Sequence, residues 1–132
     1  EGVHELLAAL EQRGVTVVLA SSSPRWMIEK NLEAAGMSGE FSLSVGGDEV
    51  ERGKPHPDLF LAAARKQGTE PERCIVFEDS NNGVRAACAA GMRVVMVPDL
   101  RPPEQEVREK AFRVYDSLLG AVSELDELLD YT

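Results

Sequence analysis

Three short polar clusters interrupt apolar stretches of this chain, and each carries side chains suited to holding an ion. Ser21-Ser22-Ser23 follows the β-branched run of residues 15–20 and precedes Pro24. Hydroxyls and free backbone N–H groups at a helix start hold anions well. A plain helix cap needs only one of the three serines, so the triplet reads either as a cap or as an anion site. Lys54 lies in Arg52-Gly53-Lys54-Pro55-His56-Pro57, just ahead of a helical pattern. A lysine on so constrained a backbone is either a point charge for phosphate or a solvated surface residue. His56 has no neighbouring metal-ligand pattern and reads as structural or solvent-facing. Glu78-Asp79 closes a third apolar run. Asp79 could cap the next helix, but a merely exposed Glu78 is unexpected after four apolar residues. Two adjacent acids at a strand tip repel each other, and their oxygens suit Mg²⁺ or Ca²⁺. Together, a hydroxyl anion site, a lysine and an acidic pair describe a metal–phosphate pocket of the kind phosphoryl transfer needs. A nucleophile is the missing part.

The clusters are placed by the elements between them. Val3, Leu6, Leu7 and Leu10 recur at helical spacing over residues 2–13. Residues 15–20 are a near-continuous β-branched run, as in a strand buried on both faces. Ser23 as cap and Pro24 at the first helical position open a second helix that ends at Gly36. Residues 41–45 form a short strand, and residues 46–55 a loop rich in turn residues. A helix follows from Pro57 to Gly68, then a buried strand over 74–78. A helix closed by Gly91, a strand over 93–97 and a loop or short helical turn over 99–110 come next. A weak strand at 112–115 and one amphipathic helix over 118–129 complete the pattern. This alternation predicts a parallel sheet with helices on both faces. In such sheets ligands bind beyond the carboxyl ends of the strands, where all three clusters fall.

Composition bounds the class. The chain has 132 residues, 43% of them hydrophobic, enough for one domain with its own core. No repeat, low-complexity segment or linker divides it. A net charge of −9 opposes phosphate backbones and argues against broad nucleic-acid binding. A small phosphorylated ligand stays compatible, because a local lysine and a metal can reverse the sign at one site. No apolar run approaches a membrane span. The first residues are acidic and unlike a signal peptide. Cys74 and Cys88 lie in apolar segments and read as reduced core thiols, so a cytoplasmic location is expected. Residue 1 is Glu, and the chain opens directly on a helical pattern, so part of a longer protein is expected.

GVTVVLASSSP, GDEVERGKPHPDLF and CIVFEDSNNGVRAACAAGM resemble motifs II, III and IV of the haloacid dehalogenase (HAD) superfamily. The resemblance is strongest to its phosphatases and β-phosphoglucomutase-like enzymes, and it runs from about residue 2 to residue 129. It implies an α/β fold: a three-layer, doubly wound parallel sheet, the Rossmann-like HAD core. It also implies roles. Ser21 matches the hydroxyl that binds the transferring phosphoryl group, with Ser22 assisting. Lys54 matches the lysine that offsets charge on nucleophile and phosphoryl oxygens. Glu78 and Asp79 match the acids that hold Mg²⁺, with Ser80 and Asn82 as more distant supports.

The pattern also departs from the family. Its nucleophile belongs to an Asp-x-Asp motif on a first strand, and no Asp-x-Asp occurs in these 132 residues. The helical cap that selects substrate is absent as well. Residues 1–132 are therefore expected to be a single partial HAD core without nucleophile strand or cap. That strand lies between those ending at Ala20 and Glu78, so an empty slot is expected there, to be filled by a missing N-terminal segment. The resulting expectation is a Mg²⁺-dependent phosphohydrolase acting on a small phosphorylated metabolite through an aspartyl-phosphate, with this chain inactive alone. Phosphomutase activity is a variant of it. A non-catalytic phosphate- or metal-binding module, or pseudoenzyme, is the alternative. Motif order argues against a receiver domain, since its acidic pair precedes its hydroxyl and lysine.

Overall fold

The structure is a computed structural model, which describes residues 2–99 and 101–130. Its elements run α1 (Val3–Gln12), β1 (Val18–Ala20), α2 (Arg25–Ala34), β2 (Leu43–Val45), α3 (Asp58–Gln67), β3 (Ile75–Glu78), α4 (Asn81–Ala89), β4 (Arg93–Met96), α5 (Gln105–Lys110), β5 (Arg113–Val114), α6 (Leu118–Ser123) and α7 (Leu125–Leu129). Short 3-10 turns cover Gly47–Glu49 and Pro71–Arg73.

All strand pairs are parallel, as the alternating pattern requires. Among the described residues the ladder comes in two parts, β1–β2 and β3–β4–β5, with no β1–β3 pairing. The period of two along each strand sorts side chains between two helical layers. Val76, Val94 and Met96 pack with Phe60 and Ala64 of α3, Val84 of α4 and Val107 of α5. On the opposite face, Val95 packs with Ala121 and Leu128, and Ile75 and Phe77 rest against that cluster. Phe77 also touches the Leu6–Leu10–Leu125 cluster that joins α1 to α7. This is the expected three-layer core, with β4 at its most buried position.

Several boundaries differ from the sequence reading. The strand expected over residues 15–20 is paired only from Val18, opposite Leu43. Its three residues are half-buried rather than enclosed on both faces. Residues 15–17 have no ladder partner that would fix them as strand. Helix α2 starts at Arg25, with Pro24 rather than Ser23 at the cap position. No side chain of its own caps that end; Asp48, from the following 3-10 turn, accepts the Arg25 N–H at 3.2 Å. The expected single helix over 118–129 breaks at Glu124, which leaves helical geometry at φ −116°, ψ 17°. The Glu124 carboxylate accepts a hydrogen bond from Tyr115 Oη at 2.5 Å. Residues 105–110 settle the open alternative in favour of a short helix, anchored by Arg85 on Glu104 and Glu106.

Candidate functional site

Strands β1 and β3 end at the same edge of the fold, and the backbone turns there into the polar clusters. Between them lies an open cleft of about 1270 Å³. Ser21, Ser22, Lys54, Glu78 and Asp79 all line it. Five residues from three separated segments thus share one cavity. Its lining also includes the apolar Leu6, Leu10, Val17, Leu19, Ile75 and Phe77. The cleft coincides with the interruption in the ladder, where β1 and β3 each have a strand edge without a ladder partner among the described residues.

The acidic pair has found a cation within the chain. Lys54 Nζ donates to Glu78 Oε2 at 2.9 Å, and both side chains are nearly enclosed, at 15% and 8% exposure. Phe60 lies under the ammonium, 5.2 Å from Nζ to the ring centroid, which adds a cation–π attraction. Glu78 Oε1 accepts from the Asp79 N–H at 3.2 Å and from Ser80 Oγ at 3.1 Å. Burial alone pushes the Glu78 carboxyl up, but the charge and hydrogen bond of Lys54 bring it below the ordinary carboxylate range. Asp79 moves the other way: burial first, then the Glu78 carboxylate beside it, push its carboxyl up.

Local structure explains why Glu78 can turn this way. Ser80, not Asp79, is the cap of α4, accepting the Gly83 N–H at 3.0 Å. Asp79 is thereby left to face the cleft. Gly83 passes against the Glu78 side chain, and a Cβ at that position would land on its carboxylate. An isolated glycine inside a helical pattern is the sequence signal that could have found this packing role. Asn82 Oδ1 accepts from Arg85 at 3.0 Å.

Motif II is also built by neighbours. The Ser21 N–H donates to Val45 O at 3.0 Å, continuing the β1–β2 ladder by one residue. Ser21 Oγ accepts from the Ser23 N–H at 3.2 Å. Because Asp48 already holds the first N–H of α2, an anion in the cleft would meet Ser21, Ser22 and Lys54 rather than the helix end.

The donor set fits a hard divalent cation in part. Two carboxylates meet at one strand tip, and burial first, then the neighbouring Glu78 carboxylate, disfavour the charged form of Asp79, which a cation there would offset. Among the described residues no group of three or more His, Cys, Asp and Glu side chains gathers to hold a metal. Cys74 and Cys88 are free thiols, and burial pushes both up.

A parallel α/β sheet with hydroxyl, ammonium and carboxylate groups converging at the carboxyl ends of its strands defines an α/β fold with a polar cleft where such folds bind ligands. Comparison with known proteins narrows this class. The family profile described as haloacid dehalogenase-like hydrolase matches residues 1–91, and the chain belongs to that family. It is 44% identical over 119 residues to the bifunctional riboflavin kinase/FMN phosphatase of Arabidopsis thaliana, covering 89% of this chain and 31% of that protein. It is 36% identical over 124 residues to hexitol phosphatase B of Escherichia coli K12, covering 94% of this chain and 54% of that one. The crystal structure of CbbY from Rhodobacter sphaeroides in complex with phosphate superimposes with a TM-score of 0.82 at 31% identity, over 91% of this chain and 54% of that one. The chain thus spans about half the length, or less, of the curated relatives it matches. No described helix is long and apolar enough to cross a membrane.

Proposed function

We propose that this chain is the phosphate- and metal-binding part of a Mg²⁺-dependent phosphohydrolase acting on a small phosphorylated metabolite, in the cytoplasm. The observation that carries the reading is the single cleft lined by Ser21, Ser22, Lys54, Glu78 and Asp79. Relatives that are phosphatases, and a fold neighbour crystallised with phosphate, support it.

In this reading the nucleophile is an aspartate from outside these residues, on a strand that enters between β1 and β3. Apolar walls on both sides of the cleft and two open strand edges suit such a strand. Its carboxylate oxygen bonds to phosphorus as the ester oxygen leaves, protonated by the second aspartate of the same Asp-x-Asp segment, giving an aspartyl-phosphate. Water, giving a proton back to that second aspartate, then attacks phosphorus, breaks the acyl-phosphate bond and releases inorganic phosphate with the nucleophile's carboxylate restored. Ser21 and Ser22 bind and orient the phosphoryl oxygens. Lys54 offsets negative charge on them, while Glu78 holds the ammonium in place. Glu78 and Asp79 are the residues that would hold Mg²⁺, which when bound would neutralise phosphoryl charge. The 132-residue chain alone is expected to be inactive.

The test measures phosphate release from small phosphate esters with Mg²⁺. The chain alone is compared with one polypeptide that also carries an upstream Asp-bearing strand. Turnover only in the longer protein supports the reading. Absence of turnover in both, with phosphate still bound, favours a non-catalytic binding module.

A further inference from the structure

Ser21 and Lys54 lie on different loops, and between them in sequence lies a turn that carries none of the expected site residues. In the 3-10 turn Gly47–Glu49, the Glu49 carboxylate joins four segments. Glu49 Oε2 accepts from the Gly46 N–H at 2.7 Å and from Arg25 Nη2 at 2.5 Å, while Oε1 accepts from Lys66 Nζ of α3 at 2.8 Å. Arg25 also donates to Ser44 Oγ at 2.5 Å and to Ser44 O at 3.0 Å. Lys66 converges on that same carbonyl at 2.9 Å. The start of α2, the end of β2, the turn and α3 thus share one ionic knot. Hydrogen bonds from Lys66, Gly46 and Arg25 hold the Glu49 carboxyl down at about 2, so it stays charged at any working pH.

The knot abuts the serine loop directly. The Gly47 N–H donates to Ser23 O at 2.8 Å, and a Cβ on Gly47 would collide with Ser22 O. Asp48 holds the Arg25 N–H from the same turn. Lys54 follows five residues after Glu49, between this turn and α3.

We propose that Glu49 is a positioning residue: through Arg25 and Lys66 it locks the Gly47 turn against Ser21–Ser23 and so sets the spacing between the serine hydroxyls and Lys54. The inference rests on the phosphohydrolase reading for its catalytic consequence, but its geometric content does not. The variant Glu49→Gln keeps the side-chain shape and an acceptor for Gly46 while losing the charge that gathers Arg25 and Lys66.

Two measurements test it. In the longer, Asp-bearing protein, kcat/KM of Glu49→Gln should fall about 10- to 100-fold, the scale of small misplacements at a reacting centre. In a Ser21→Ala background the same change should cost less than about 3-fold, because coupled residues are not additive. Equal losses in both backgrounds would mean that Glu49 acts on folding alone, and would overturn the proposal. The second measurement uses amide exchange in the 132-residue chain. Glu49→Gln should speed exchange at Ser21, Ser23 and Gly47 at least 10-fold while β4 stays protected. Unchanged exchange at those three amides overturns the proposal whatever the turnover. If the parent protein lacks turnover, the phosphohydrolase reading falls and exchange alone decides the positioning claim.

Discussion

Replacing Lys54 by Met leaves the Glu78 carboxylate in a nearly closed site without its ammonium. Glu78 is 8% exposed and Lys54 15% exposed, so solvent replaces little of the lost attraction. Removing one partner of a buried pair costs about 3–5 kcal/mol, and the residual exposure of Lys54 points to the lower end, about 3 kcal/mol. Unfolding entropy of roughly 2.1 cal/mol/K per residue converts this to a drop of about 10 °C in melting temperature for a chain of 132 residues. The assay is thermal and urea unfolding of the 132-residue chain, followed by circular dichroism. Adding Glu78→Gln to Lys54→Met removes the stranded charge and should restore most of the loss. The pH dependence gives a second signature. With Lys54 present, Glu78 titrates below its ordinary value of 4.5, so the contribution of the pair is full above that value and fades as pH falls. Without Lys54, burial dominates and raises the Glu78 carboxyl. The gap between variant and parent should therefore narrow on acidification, as Glu78 is neutralised. A loss below about 1 kcal/mol, typical of exposed ion pairs, or no recovery in the double variant, would refute the reasoning.

Other outcomes follow from the same geometry. Gly83→Ala places a methyl on the Glu78 carboxylate and should cost about 1–3 kcal/mol in urea unfolding, with weaker Mg²⁺ binding by titration calorimetry. Glu49, held at about 2, should lend acid stability: the chain loses stability as pH falls from 4.5 towards 2, and Glu49→Gln should flatten that slope in acid titrations followed by fluorescence. Tyr115, half-buried and bonded to Glu124, should ionise only at about 12 by absorbance at alkaline pH, and Tyr115→Phe should cost about 1 kcal/mol.

The alternation of apolar runs and punctuating residues made the architecture legible. Residues 93–97 read as a strand, and Arg93–Met96 form β4, with Val94, Val95 and Met96 enclosed. Residues 15–20 carried the same β-branched signal, yet only Val18–Ala20 pair, because a strand also needs neighbours on its edges. Composition records the burial that a segment is suited to, and β1 shows less of it than its sequence suits. The break at Glu124 was hidden because Leu118, Leu125 and Leu128 keep helical spacing across it. At the site, clusters at strand ends placed Ser21, Ser22, Lys54, Glu78 and Asp79 in one cleft. Their pairing was not legible. Lys54 and Glu78 are 24 positions apart, and Asp48 holds the start of α2 from 23 positions away. Neither contact leaves a local periodicity. The Glu49 knot escaped for the same reason, its partners being spread over residues 25, 46 and 66.

We propose that a phosphate site lies between β1 and β3 and takes its nucleophilic aspartate from outside these residues. Fluorine NMR of beryllofluoride, which mimics an acyl-phosphate when bound to a carboxylate, tests it most directly. The 132-residue chain with Mg²⁺ should show free beryllofluoride only. The longer protein, carrying an Asp-bearing strand, should show a bound signal that requires Mg²⁺ and is lost in Lys54→Ala. A bound signal in the 132-residue chain alone, or none in the longer protein with Mg²⁺ present, would contradict the account.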